Sequence, residues 1–185
     1  MHFSSTIVLA ASAANALVAT EAPIPGYGVQ DIEWSVEVFP GEFRLFNGTA
    51  EEVHAQAIAV NPSFRVPGMV QPRGLKQKRG HIDCGGLPAA EKKAIRDGAA
   101  YLRNQPPGRP TNGPGPNNCG RVSCSYKSGI WWCNDSTSTK SLDGCDWIAN
   151  SAQHITEVCD PNSEWTSGRN HEDGDWSTIV QGARC

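Results

Sequence analysis

The chain is predicted to fold as a small, disulfide-stapled α+β sandwich of the split βαβ, ferredoxin-like type. In that arrangement an antiparallel sheet carries two helices on one face, here preceded by a small ββα pro-region. Three observations predict it. Seven cysteines, Cys84, Cys119, Cys124, Cys133, Cys145, Cys159 and Cys185, all follow the dibasic pair Lys78-Arg79. The segment after Arg79 reads strand, helix, strand, strand, helix, strand, the order of a split βαβ unit. The segment before it is cysteine-free and carries hairpin and helix signals of its own.

The elements follow in order. Residues 1–16 hold an apolar run and end in Ala14-Asn15-Ala16, the small-residue pattern of a secretory signal peptide, too short for a membrane span of about 20 residues. Ile32, Trp34, Val36 and Val38 alternate, as do Phe43 and Leu45, and Pro40-Gly41 between them marks a hairpin. Thr49-Ala50-Glu51-Glu52 is a capping box, Val53, Ala57 and Val60 follow at helical spacing, and Asn61-Pro62 ends that helix. Residues 66–79, rich in proline, glycine and basic side chains, read as a linker.

Beyond Arg79, residues 81–84 are a strand candidate. Residues 87–104 are expected to be helical, with Leu87, Ala90, Ile95, Ala99 and Leu102 as the apolar stripe. Residues 105–118 are so rich in proline and glycine that a long loop is expected. Residues 119–126 and 130–134 read as a hairpin turning at Ser128-Gly129, which sets Cys124 opposite Cys133 and Tyr126 opposite Trp131. Val122, Cys124, Tyr126, Trp131 and Cys133 then face the core, while Arg121, Ser123, Ser125, Ile130 and Trp132 form a second, half-polar face. Residues 141–159 read as the second helix, with Ile148, Ala152, Ile155 and Cys159 on one side. A polar loop over 160–175 leads to a last strand over 176–185.

The domain organisation follows: a signal peptide over 1–16, a pro-region over 17–79 ending in the cleavage site Lys78-Arg79, and a disulfide-rich mature domain over 80–185. Pro67, Pro72, Gly74 and Gly80 around the pair favour an accessible loop. The formal net charge of -3 gives no bulk attraction to nucleic acid or anionic membrane. Bridges imply an oxidising compartment, hence secretion to the outside of the cell, and Asn47-Gly48-Thr49 and Asn134-Asp135-Ser136 are glycosylation acceptors, at Asn47 and Asn134.

An odd number of cysteines leaves one thiol free or joined to a second copy. Cys145, expected in the first turn of a helix, is assigned that role. Cys84, Cys119, Cys124, Cys133, Cys159 and Cys185 remain for three bridges whose pairing stays open. A Cys124–Cys133 cross-strand bridge is possible in this register, but bridges from the sheet to the helices are preferred to it, because directly opposed cysteines strain the bond. Cys119, Cys124 and Cys133 do not have zinc-site spacing, and no metal or cofactor is expected. Nucleophile-elbow, zincin, phosphate-loop and dinucleotide motifs are all missing, so no enzymatic activity is expected. His171-Glu172-Asp173-Gly174-Asp175 reads as a solvated charged loop rather than a cation site.

Five of the six tryptophans follow Arg79. Trp132, on the half-polar face, and Trp165, in the polar loop, are candidates for an aromatic surface shared with Arg121 and Ser125. Taken together, Lys78-Arg79, Cys84-Gly85-Gly86 and Asn118-Cys119-Gly120-Arg121-Val122-Ser123-Cys124-Ser125-Tyr126 resemble secreted cysteine-rich proteins of filamentous fungi. Ile130-Trp131-Trp132-Cys133-Asn134-Asp135, Cys159 and Cys185 extend the resemblance, which is to the killer-toxin-like effectors. It implies a precursor cut by a kexin-type protease and an effector or toxin acting on a host plant or competing microbe through a protein target. The alternative expectation is a secreted protein that binds cell-wall polysaccharide.

Overall fold

The structure, a computed structural model, describes residues 21–66, 80–104 and 107–185. The signal-peptide expectation and the Lys78-Arg79 cleavage site fall outside the described residues. The strands are β1 (Gly28–Val29), β2 (Glu33–Phe39), β3 (Glu42–Asn47), β4 (Ile82–Cys84), β5 (Ala90–Glu91) and β6 (Arg109–Asn112). They continue as β7 (Asn118–Ser125), β8 (Ser128–Asn134), β9 (Lys140–Ser141), β10 (Trp165–Thr166), β11 (Gly168–Glu172) and β12 (Trp176–Gly182). The helices are α1 (Ala50–Val60), α2 (Lys92–Asn104) and α3 (Asp146–Val158).

The α+β class holds, with a larger sheet than expected. Six strands run in the order β1-β7-β8-β12-β11-β4, with two further sheets, β3-β2-β6-β9 and β10-β5. Within the six-stranded sheet, the unexpected strand from beyond Arg79 is β11, which the polar sequence of residues 168–172 disguised as loop. Its hydrogen bonds to β12 and β4 satisfy the backbone, and Asn170 is buried with its amide donating to Ser151 Oγ at 2.9 Å. Likewise β6 forms inside the expected loop. Pro110 lies opposite Trp34, between β2 and the short edge strand β9, where the missing N–H costs little.

Helices α2 and α3 pack side by side on one face of the six-stranded sheet. Ile95, Ala99, Leu102, Ile148, Ala152 and Ile155 meet Val122, Ile130, Trp132 and Val180 there. The opposite face carries Cys119, Trp131, Cys133 and Ile179, roofed by Ile24, Tyr27, Val29 and Leu87. A large side chain buried this completely stabilises the fold by about 1.5–3 kcal/mol.

The expected ββα unit is present as β2, β3 and α1, capping box included: Thr49 Oγ1 accepts from the Glu52 N–H, and Glu52 accepts from the Thr49 N–H at 2.8 Å. It is not a separate body. Ile32, Trp34, Val36, Val53, Ala57 and Phe64 belong to the same core as the two later helices. β2 pairs with β6, and β1 runs parallel to β7. The helix boundaries also tighten: α2 starts at Lys92, because residues 90 and 91 are drawn into β5, and α3 starts at Asp146 after the short strand β9.

The three bridges are Cys84–Cys159, Cys119–Cys133 and Cys124–Cys185; the second joins directly opposed residues of β7 and β8, the kind of pairing disfavoured on sequence grounds. Cys145 is the free thiol, and it is buried. Such cross-links belong to an oxidising compartment. No helix among the described residues is long and apolar enough to cross a membrane.

Candidate functional site

The β7–β8 hairpin turns at Tyr126-Lys127, not at Ser128-Gly129. Both turn residues have positive φ, 47° and 57°, the geometry of a two-residue type I′ connection whose twist suits the strands. Ser125 then pairs with Ser128, Cys124 with Gly129 and Cys119 with Cys133, with an irregularity between Arg121 and Ser123. This register corrects the expected surface. Trp132 points to the helix face and is fully buried, with its ring edge-on to Trp176. Trp131 is also buried, under Arg121, whose guanidinium carbon lies 5.8 Å from the ring centre. Arg121 donates to the Arg184 carbonyl and so holds the C-terminal segment. Ser125 is half-buried beside the turn. The expected group of Arg121, Ser125, Trp132 and Trp165 is therefore not one surface.

Trp165 alone of the two candidate tryptophans is exposed, at 55 %, and the turn supplies a second aromatic, Tyr126, at 78 %. The fold brings their supports together. Trp165 pairs with Glu91 across the β10–β5 ladder. The Glu91 N–H donates to Ser128 Oγ at 3.0 Å, and that hydroxyl donates on to the Tyr126 carbonyl at 3.3 Å. One buried serine thus links the strand beside Trp165 to the turn that carries Tyr126.

Each aromatic is fixed from behind. Lys92 N–H donates to the Glu164 carbonyl at 2.9 Å, and Lys92 Nζ donates to the Asp160 carbonyl at 2.6 Å, bracing the approach to Trp165. The Cys84–Cys159 bridge anchors the same segment. On the other side, the Ala183 N–H donates to the Lys127 carbonyl at 2.9 Å, and Cys124–Cys185 ties the turn to the C-terminus. Exposed Lys93 completes the rim. Its pKa is raised, first by the hydrogen bond to Asp97 and further by Glu91 and Tyr126. The result is two exposed aromatic side chains, Trp165 and Tyr126, on segments joined through Glu91 and Ser128, with Lys93 nearby, surfaces suited to stacking and hydrogen bonding.

Sequence reasoning missed Tyr126 and Glu91. The turn carries no Asn-Gly or Gly signal, and Ser128-Gly129 two residues later attracted the assignment. Glu91 lies in β5 instead of the helix expected over 87–104.

A second polar cluster lies at the start of β4. Asp83 sits between two imidazoles, Oδ1 2.8 Å from His81 Nε2 and Oδ2 3.0 Å from His171 Nε2. The His171 hydrogen bond is the main reason its pKa is lowered. Among the described residues no three His, Cys, Asp or Glu side chains are arranged to hold a metal ion. Arg169 is the centre of a third network. It donates to Asp135 at 2.9 Å, to Ser177 Oγ at 3.0 Å and to Tyr27 Oη at 2.7 Å. This network is structural: it joins strand β11 to the segment before β1.

The two glycosylation acceptors differ. Asn47 is exposed. Asn134 is completely buried, and its Nδ2 donates to the Gly113 carbonyl at 2.8 Å and the Ser138 carbonyl at 2.7 Å. A glycan on that nitrogen would break both bonds, so the folded chain does not accommodate one at Asn134. Cys145 lies in the core, where burial first and Asp146 second push its thiol pKa far up. A bridge from it to a second copy would require the core to open.

Compared with family models, with curated proteins and with solved structures, the chain finds no match.

Proposed function

We propose that the chain is a secreted, contact-acting effector or toxin-like protein directed at a host plant or a competing microbe. Its exposed aromatic rim, Tyr126 and Trp165 around Glu91, would meet a protein target. The observation that carries the reading is the rim itself: two large aromatic side chains held out to solvent by ladders, a shared serine and two disulfides. Rigid exposed aromatics make strong contact residues because they lose little conformational freedom on binding. The leader, the oxidised cysteines and the resemblance to killer-toxin-like proteins support export and processing after Arg79 by a kexin-type protease.

The test is to apply the purified, oxidised protein to leaves of several plants and to growing fungi, beside a Tyr126→Ala/Trp165→Ala variant. A response to the native protein that the variant loses is expected. An equal response to both would remove the rim from the mechanism, and no response in any host would end the effector reading.

The second reading is cell-wall carbohydrate binding, favoured by the same rings, since sugar faces stack on exposed Trp and Tyr with a nearby carboxylate to accept from hydroxyls. Retention on insoluble chitin or glucan, lost in the Trp165→Ala variant, would select it over a protein target.

A further inference from the structure

We infer that residues 21–66 are a permanent subunit rather than a detachable pro-segment. After cleavage behind Arg79 they stay on residues 80–185 as a second, non-covalently held chain. The inference rests on the processing step proposed above, but its physical basis does not.

The first support is backbone pairing at two separate places. Gly28 and Val29 extend the main sheet against Asn118 and Cys119, with the Gly28 N–H donating to Asn117 at 2.8 Å and the Gln30 N–H to Cys119 at 2.9 Å. Glu33, Trp34 and Ser35 then pair with Thr111, Pro110 and Arg109 in the other sheet. Departure of the segment would bare both β6 and β7 along these edges.

The second support is the core. Ile32, Trp34, Val36, Val53 and Ala57 are wholly buried, and they pack in one cluster with Ile95, Leu102, Val122 and Trp132 from beyond Arg79. Tyr27 and Val29 roof the opposite face of the sheet. A pro-segment that leaves must do so from a surface complete without it. Here the remaining chain would expose the inside of its core and lose the roof over Trp131.

Close backbone approach is the third support. A Cβ on Gly120 would stand 2.2 Å from Ile32 Cδ1 and 2.7 Å from the Gln30 carbonyl. One on Gly108 would stand 2.1 Å from the Ser35 carbonyl. The later chain keeps glycine at both places where the earlier chain passes against it. Side-chain bonds across the junction add polar specificity: Arg169 to Tyr27, Asn118 Nδ2 to Gln30 Oε1 at 2.9 Å, Ser123 to Glu51, and His54 to Tyr101 at 2.8 Å.

No disulfide crosses the junction, because the cysteines all lie after Arg79. The cut protein should therefore behave in a distinctive way. On a denaturing gel without reductant it should separate into two chains, while on a native gel-filtration column it should elute as one.

The experiment starts from the full secreted chain, cut with a kexin-type protease and checked for a new N-terminus at Gly80. It is then run by gel filtration and native mass spectrometry. Co-elution of both fragments at one-to-one supports the proposal, and residues 80–185 eluting alone and folded would overturn it. Should the protease not cut at Arg79, the processing step fails by itself. The same columns are then run on a chain carrying a viral-protease site in place of residues 73–79, and they judge the association without it. In the cut protein, Gly120→Ala is expected to speed release of the smaller chain by at least tenfold. An unchanged release rate would count against the assigned contact surface, whereas simple misfolding would show as loss of the native elution before any cut.

Discussion

Residues 21–66 and residues 80–185 solve the same problem by different means. The later region has three disulfides, which limit what its unfolded chain can explore and so stabilise it by about 2–4 kcal/mol each. The earlier region has none. It is held by two short ladders, a tryptophan-centred set of core residues and a few side-chain bonds across the junction. The difference teaches that absence of cross-links does not mark a segment as disposable. Burial can hold a segment as firmly as sulfur, but only burial ceases to be unimolecular when the connecting chain is cut.

The largest expected effect comes from the residue on which the earlier region depends most. Trp34 is fully buried and donates from Nε1 to the Gly48 carbonyl at 2.8 Å. Trp34→Ala should cost about 3–5 kcal/mol, read as the shift in a urea unfolding midpoint of the intact chain. The loss should appear in one transition covering both regions. Two separate transitions would break the comparison by showing that each region folds for itself.

Replacing Cys84 and Cys159 together by alanine should cost about 2–4 kcal/mol and also slacken the segment leading to Trp165. Tyr27→Phe, which removes only the acceptor for Arg169, should cost about 1 kcal/mol. It sharpens the comparison because it touches the junction without touching the core. Tyr126→Ala with Trp165→Ala should change stability by no more than about 0.5 kcal/mol while removing target contact, as measured by the melting curve beside the host response.

The smallest effect is a pH dependence. The folded-state pKa of Asp83 lies below its ordinary 3.8, chiefly through the His171 hydrogen bond. Its contribution to stability is therefore present above that ordinary value and is lost as pH falls through the lowered one. Asp83→Asn should flatten the acid limb of a stability profile only slightly, since the pair is exposed.

The alternation of Ile32, Trp34, Val36 and Val38 was enough to foretell β2, and the capping box foretold α1, because both signals are local. What could not be read was where those elements would dock. The division at Arg79 was drawn from cysteines, and cysteine content says nothing about which apolar faces share a core. β11 was hidden because Arg169, Asn170 and His171 look like loop, yet each has a partner distant in sequence: Tyr27 before β1, Ser151 on α3 and Asp83 on β4. The aromatic rim was half legible. Trp165 stood out in its polar surroundings, whereas Trp132 misled because the irregularity between Arg121 and Ser123 moves Arg121 to the Trp131 face, and α2 and α3 cover the face that Trp132 shares with Val122 and Ile130.

Cys145 gives the chain a chemical clock. The one thiol outside the bridges is sealed in the core shared by both regions, with burial raising its pKa so that the reactive thiolate is rare. An alkylating reagent can reach it only in moments when that core parts, so the labelling rate counts the openings. Measured before and after the chain is cut, that rate would report how much an intact backbone contributes to keeping the protein shut.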